Sequence, residues 1–182
     1  LKSQVLLSDG AMGSYLFELT GRLSEANHVY ESFNVDQPGL IEKVHLAYLN
    51  AGSQCLATNT FGANRDKLKE CDLGQRVAEL NRGGVEVARR AIARFQAQRP
   101  AAEPFFVLGS IGPTAQALTD RAALEARYRE QVEALVNGGV DALILETFSS
   151  LEQLEALIEL INTVPGAPPI IAEMTIHSSS AG

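Results

Sequence analysis

Leu49-Asn-Ala-Gly-Ser-Gln-Cys-Leu-Ala-Thr-Asn-Thr-Phe61 lies without a gap over Val136-Asn-Gly-Gly-Val-Asp-Ala-Leu-Ile-Leu-Glu-Thr-Phe148. Both copies read as a helix end, a glycine, a strand, a polar residue, Thr and Phe. Asn59 therefore holds on the second strand the place that Glu146 holds on the fourth. Residues two strands apart share a layer inside a (β/α)8 barrel. Any two βα units of a parallel sheet also look somewhat alike, so the repeat favours a barrel without excluding an open sheet.

The same grammar recurs outward from the repeat. Val5-Leu-Leu-Ser-Asp-Gly-Ala-Met-Gly-Ser14 reads as a buried strand running into an acidic residue and a glycine-rich turn. Asp9 would end the strand, and Gly10 and Gly13 would let the backbone turn sharply and approach a ligand. Asp9 as a plain turn cap is the alternative. Residues 15–39 read as a long irregular connection, punctuated by Gly21, Asn27, Asn34 and Pro38-Gly39. A helix follows, with Leu40, Val44, Ala47 and Ala51 on its apolar face and Gly52 as a left-handed stop. The second strand spans 53–60, with a loop over 61–65.

A long helix is expected over 75–97, faced by Val77, Leu80, Val87, Ala91 and Phe95. A third strand (105–111), a helix over 122–137 with Leu124, Tyr128, Val132 and Leu135 inward, and a fourth strand (140–148) come next. Ser149-Ser-Leu-Glu152 has capping-box spacing and opens a helix striped by Leu151, Leu154, Ile158 and Ile161. Pro165-Gly166 ends it, and a fifth strand over 170–176 leads to His177 and a serine run.

Strand and helix alternate throughout, which gives an α/β fold with a parallel sheet and all strand carboxyl ends on one side. Two architectures fit: an open, five-stranded doubly wound sheet, or a TIM barrel truncated after about five βα units. The chain starts at Leu1 without Met and stops just after a strand-like run, so residues 1–182 are expected to be the amino-terminal part of one longer barrel.

Composition narrows the function classes. With 46% hydrophobic and 20% charged residues the chain can bury a core. A net charge of −7 without basic clusters speaks against nucleic acid or an anionic membrane as partner. No apolar run approaches the ~18–20 residues that span a bilayer, and residues 1–4 do not read as a leader peptide, so none is expected. Two isolated cysteines suit a reduced, cytoplasmic protein, Cys55 as core and Cys71 as surface. No Lys follows Lys69, so the later strands offer no Schiff-base lysine. Gly109-Ser-Ile-Gly112-Pro lacks dinucleotide and P-loop spacing. His28, His45 and His177 show no ligand spacing, and His45 is expected on a helix face.

The strand ends gather Asp9; Thr58, Asn59 and Thr60; Ser110; Glu146 and Thr147; and Thr175 and His177 at one mouth. Two carboxylates there can clasp an ammonium group, work as general acid and base, or ligate a hard metal. Both can also be structural, although a glutamate inside Leu143-Ile-Leu-Glu-Thr-Phe148 is expensive to bury without purpose.

Four segments in register, Asp9-Gly-Ala-Met-Gly-Ser14, Ala51-Gly through Thr58-Asn-Thr-Phe-Gly-Ala-Asn64, Gly109-Ser-Ile-Gly-Pro113 and Leu145-Glu-Thr-Phe148, resemble the homocysteine S-methyltransferase family. This is the barrel of methionine synthases, betaine–homocysteine methyltransferases and S-methylmethionine-using enzymes. Residues 58–64, 145–148 and 170–175 are most similar to bacterial enzymes that fuse it to a methylenetetrahydrofolate reductase domain. The resemblance implies a TIM barrel that moves a methyl group from a small donor to the homocysteine sulfur, making methionine. It implies Asp9 and Glu146 on the substrate ammonium, backbone N–H groups at Gly10 and Ala11 on its carboxylate, and Thr58, Asn59 and Phe61 bordering it. It also implies a catalytic zinc held by three cysteines, one after strand six and a pair at strand eight, beyond this chain. The 182 residues alone are therefore expected to be inactive. Ser14 stands where the family usually has Thr. The rival readings are a non-catalytic half-barrel binding module and a different barrel enzyme using Asp9 and Glu146 as acid and base.

Overall fold

The computed structural model describes residues 5–21, 29–99, 104–114 and 121–176. Four parallel strands form one sheet: β1 (Cys55–Ala57), β2 (Phe106–Ile111), β3 (Ala142–Phe148) and β4 (Ile170–Met174), hydrogen-bonded in that order. The expected first strand is reduced to a bridge along the outer side of β1. Ser8 pairs with Cys55, Leu7 O accepts from the Gln54 and Cys55 amides, and the Asp9 amide donates to Cys55 O. Each strand thus lies beside its predecessor in the chain. A doubly wound sheet needs a reversal of strand order, and the described strands have none. This is the singly wound order of a barrel segment.

Four helices connect these strands on one face: α3 (Pro38–Ala51), α5 (Val77–Gln98), α6 (Arg121–Gly138) and α7 (Leu151–Asn162), each packed on the next. The main core lies between them and the sheet, around Leu56, Val107, Leu143, Leu145 and Tyr128. The opposite face carries Cys55, Leu108 and Ile144, with Leu6, Phe106 and Ala142 against them. Alternation along each strand sorts residues between helix layer and barrel interior. The apolar faces expected for α5 and α6 are buried as read.

Elsewhere the structure differs from the expectation. Residues 15–39 are not one irregular connection: α1 (Met12–Thr20), a 3-10 turn (Tyr30–Ser32) and α2 (Phe33–Asp36) lie there, and Leu16 and Phe33 pack with Ile41, Val44 and Val87. Gly13 sits inside α1. The leading segment is not buried, for Val5 is 91% and Leu7 54% exposed with no strand beyond them among the described residues. The buried arc of α3 is Ile41, Val44, His45 and Leu49, rotated from the expected face because α1, α2 and α5 all pack on it. His45 is therefore wholly inside. The cap of α7 is Ser150, whose hydroxyl accepts from the Gln153 amide, one residue later than the expected box, and Leu151 is left exposed while Leu157 and Leu160 are buried. The loop over 61–65 runs into α4 (Arg65–Lys69), capped by the Asn64 side chain. Among the described residues no helix is long and apolar enough to cross a membrane.

Candidate functional site

The strand carboxyl ends open on a cavity of about 480 Å³. Asp9, Gly10, Ala11, Thr58, Asn59, Phe61 and Glu146 all line it, joined by Tyr30, Glu31, Ser110 and Glu173. His28 and His177 lie outside the described residues.

A bulge sets the direction of Glu146. Pairing between β3 and β4 steps from Leu145↔Ala172 to Phe148↔Met174, three residues against two. The extra residue bends the strand end and re-aims its side chains. Thr147, beside Glu146, has φ +60°. For a β-branched residue that conformation costs about 1–3 kcal/mol, and it marks where the chain departs from regular strand next to Glu146; Thr147 itself does not line the cavity.

Asp9 serves the fold and the cavity together. Both of its carboxyl oxygens accept from the Ala57 amide, at 3.1 and 3.0 Å, so it caps the end of β1. Burial pushes its pKa up to about 7, the Ala57 amide opposes that rise, and the charge of Glu146 adds to it. Burial also raises Glu146; a hydrogen bond from Ser110 lowers it and the nearby Glu173 raises it. Glu31 is raised too, chiefly by burial. Four carboxyl groups thus line the cavity, and among the described residues no Lys or Arg lines it. Asp9, Glu146 and Glu173 repel one another, a repulsion that an entering cation would relieve, whereas Glu31 is set apart and faces the charge of Lys67.

The neighbouring hydroxyls and amides lean the same way. Thr60 Oγ1 donates to Ser110 O, so its 2.6 Å contact with Thr58 Oγ1 uses the Thr58 proton. Thr58 Oγ1 also accepts the Ser110 amide. A hydroxyl has one proton and two lone pairs, so Thr58 retains a single acceptor site. Both amide protons of Asn59 are engaged, on Tyr30 O and Asn34 Oδ1. The side chains of Thr58 and Asn59 can accept from a ligand and have no proton left to donate.

Donors are available at the opposite wall. Ala11 gives α1 no side-chain cap, and the helix opens where Gly10, Ala11, Met12 and Gly13 line the cavity. Uncapped first-turn N–H groups suit an anion. Gly10 is needed for close packing and has no left-handed φ: a Cβ there would lie 3.0 Å from the Tyr48 hydroxyl, which donates to Ala11 O and holds the turn.

The residues present do not fit the implied zinc. Among the described residues no three of His, Cys, Asp and Glu could share a metal. Cys55 is buried against Leu108 and Ile144, and Cys71 packs in a separate group with Leu68 and Leu73. The whole chain has two cysteines, not three.

Sequence reading missed Tyr30, Glu31 and Glu173. Glu173 carried the signal that exposed Glu146, an acid inside an apolar strand run. Tyr30 and Glu31 lie in the segment read as irregular, where nothing local marks them.

The profile of the family described as Homocysteine S-methyltransferase matches residues 6–182. The chain belongs to the homocysteine S-methyltransferase family. It is 33% identical to the homocysteine S-methyltransferase of Escherichia coli, covering 91% of this chain and 57% of that protein. It is 31% identical to the methionine synthase of Mycobacterium tuberculosis, covering 98% of this chain and 16% of that one. The solved homocysteine methyltransferase MmuM of Escherichia coli superposes with a TM-score of 0.84 in its oxidized form, at 31% identity, over 96% of this chain and 63% of that one. Its metallated form matches with the same TM-score at 30% identity. The chain therefore spans less than two thirds of these homocysteine S-methyltransferase relatives, and its fold is that of their TIM barrel in part.

Proposed function

We propose that this chain supplies the amino-acid grip of a zinc-dependent homocysteine S-methyltransferase, which passes a methyl group to the homocysteine sulfur to form methionine. The ammonium group sits between Asp9 and Glu146, with the remaining lone pair of Thr58 as a third acceptor. The carboxylate meets the N–H groups of the Gly10–Ala11 turn and the start of α1. Asn59 and Phe61 border the methylene chain. The observation that carries this reading is one cavity with acceptors and carboxyls on one wall and an uncapped helix start on the other, the polarity of a zwitterion. No metal step is assigned to these residues; the zinc ligands belong to other residues of the enzyme.

Calorimetry on the full-length protein tests the grip. Homocysteine is expected to bind, 4-mercaptobutyrate, which lacks the ammonium, far more weakly, and 3-mercaptopropylamine, which lacks the carboxylate, weakly as well. Equal affinity for homocysteine and 4-mercaptobutyrate would remove Asp9 and Glu146 from the site.

A further inference from the structure

Residues 59–63, which follow β1, are held from five directions. Asn34 of α2 donates to Asn59 O, Gln131 of α6 to Thr60 O, the Gly112 amide to Phe61 O and Asn81 of α5 to Ala63 O, all at 2.7–2.9 Å. The fifth hold is on the Gly62 amide, which donates to Glu31 Oε1 at 2.6 Å. Of these holders Glu31 alone also lines the cavity among the described residues. It stands on the 3-10 turn, 8% exposed. The fit is close: a Cβ at position 62 would lie 2.5 Å from that carboxyl oxygen, with the Lys67 stem 3.5 Å away. The adjoining Phe61 ring lies over Gly112, where a Cβ would come within 2.5 Å of it. Phe61 is thus gripped at its carbonyl by Gly112 and, through the next amide, by Glu31, with its ring against the cavity.

We propose that Glu31 is a positioning residue: its carboxyl oxygen fixes the Gly62 amide and so holds the Phe61 ring as a wall of the cavity. An acceptor oxygen at that distance is what the role requires, so glutamine can replace it and alanine cannot. The ligand arm of the test rests on the cavity being the amino-acid grip; the amide arm does not.

In the unliganded full-length protein, the Gly62 amide is expected to exchange its hydrogen at least about tenfold faster in Glu31→Ala than in the wild type, and within about twofold of wild type in Glu31→Gln, with β2 and α5 protected in both. Glu31→Asp, which draws the oxygen back by one methylene, serves where the alanine variant does not fold, and is expected to speed exchange likewise. Calorimetry with homocysteine then reads the consequence. Glu31→Ala weakens binding about tenfold, Glu31→Gln leaves it near wild type, and in a Phe61→Ala background Glu31→Ala adds less than about twofold. Unchanged Gly62 exchange in both Glu31→Ala and Glu31→Asp overturns the proposal. So do multiplying losses in the double variant, which place Glu31 on the ligand independently of Phe61, and an affinity loss in Glu31→Gln with Gly62 still protected. Absence of homocysteine binding by the wild type would instead sink the amino-acid grip, and Gly62 exchange alone would then decide the role of Glu31.

Discussion

The two copies of the repeated βα unit begin alike and end differently. Gly52 and Gly139 take the same place after their helices, with φ +106° and +81°, and each strand starts three residues later. β1 then stops at Ala57, while β3 runs on through its bulge to Phe148. Asn59 spends its amide protons on the backbone and on Asn34, whereas its counterpart Glu146 presents a carboxyl to the cavity with Ser110 as its donor. Phe61 is 39% exposed at the rim and Phe148 is fully buried. One frame has been put to two uses: the first copy braces the rim, and the second carries the charge.

The sharpest way to separate the copies lies one helix turn before them. His45 occupies the position that Val132 occupies in the second unit, and both are fully buried. Neither ring nitrogen of His45 has a hydrogen-bond partner among the described residues, and burial lowers its pKa to about 4. The unfolded chain takes up that proton near pH 6.5 and the folded chain only near 4. Stability is therefore full above about pH 6.5 and falls as the pH drops toward 4, by up to about 3 kcal/mol from this residue. Asp9, raised to about 7, contributes a slope of opposite sign over the same range, so the His45 slope is read as the difference between wild type and His45→Leu in urea unfolding at stepped pH.

Next in size is the contrast between charge and brace. Glu146→Gln is expected to weaken homocysteine binding by about 1.5–3 kcal/mol in calorimetry without loss of stability, and Asp9→Asn to do about the same. Asn59→Ala is expected to lower the melting temperature, as it removes the bonds to Tyr30 O and Asn34 Oδ1.

The same substitution should have opposite signs at the paired threonines. Thr60→Gly loses a buried methyl group and the bonds to Thr58 and Ser110, about 2 kcal/mol. Thr147→Gly relieves a positive φ and should gain about 1 kcal/mol in urea unfolding. The smallest expected effect concerns what the copies share. Gly52→Ala and Gly139→Ala should each cost about 1 kcal/mol, since both put a Cβ into left-handed backbone. Unequal costs would show that the glycine stops differ after all.

The alternation of strands and helices was legible because glycine stops and apolar runs mark each βα unit locally. Residues 12–36 were not, because short helices with Gly and Asn at their margins carry no sustained period. The face of α3 was misread because its buried arc includes a histidine, and polarity in the sequence does not reveal three helices closing over it. Asp9 and Glu146 stood out as acids ending apolar runs. Glu31 did not, since its place at the cavity depends on a contact with Gly62, 31 residues away. The double duty of Asp9, capping β1 while lining the cavity, also needed the pairing of strands to be seen.

The order of the sheet has a consequence for how the chain assembles. Each described strand docks on the one made just before it, so the pairing within this sheet needs only segments already made. The structure can grow one unit at a time from the Asp9 end: β3 brings Glu146 to the place that Asp9 and the Asn59 brace have already prepared, and β4 then adds Glu173 to the acidic rim.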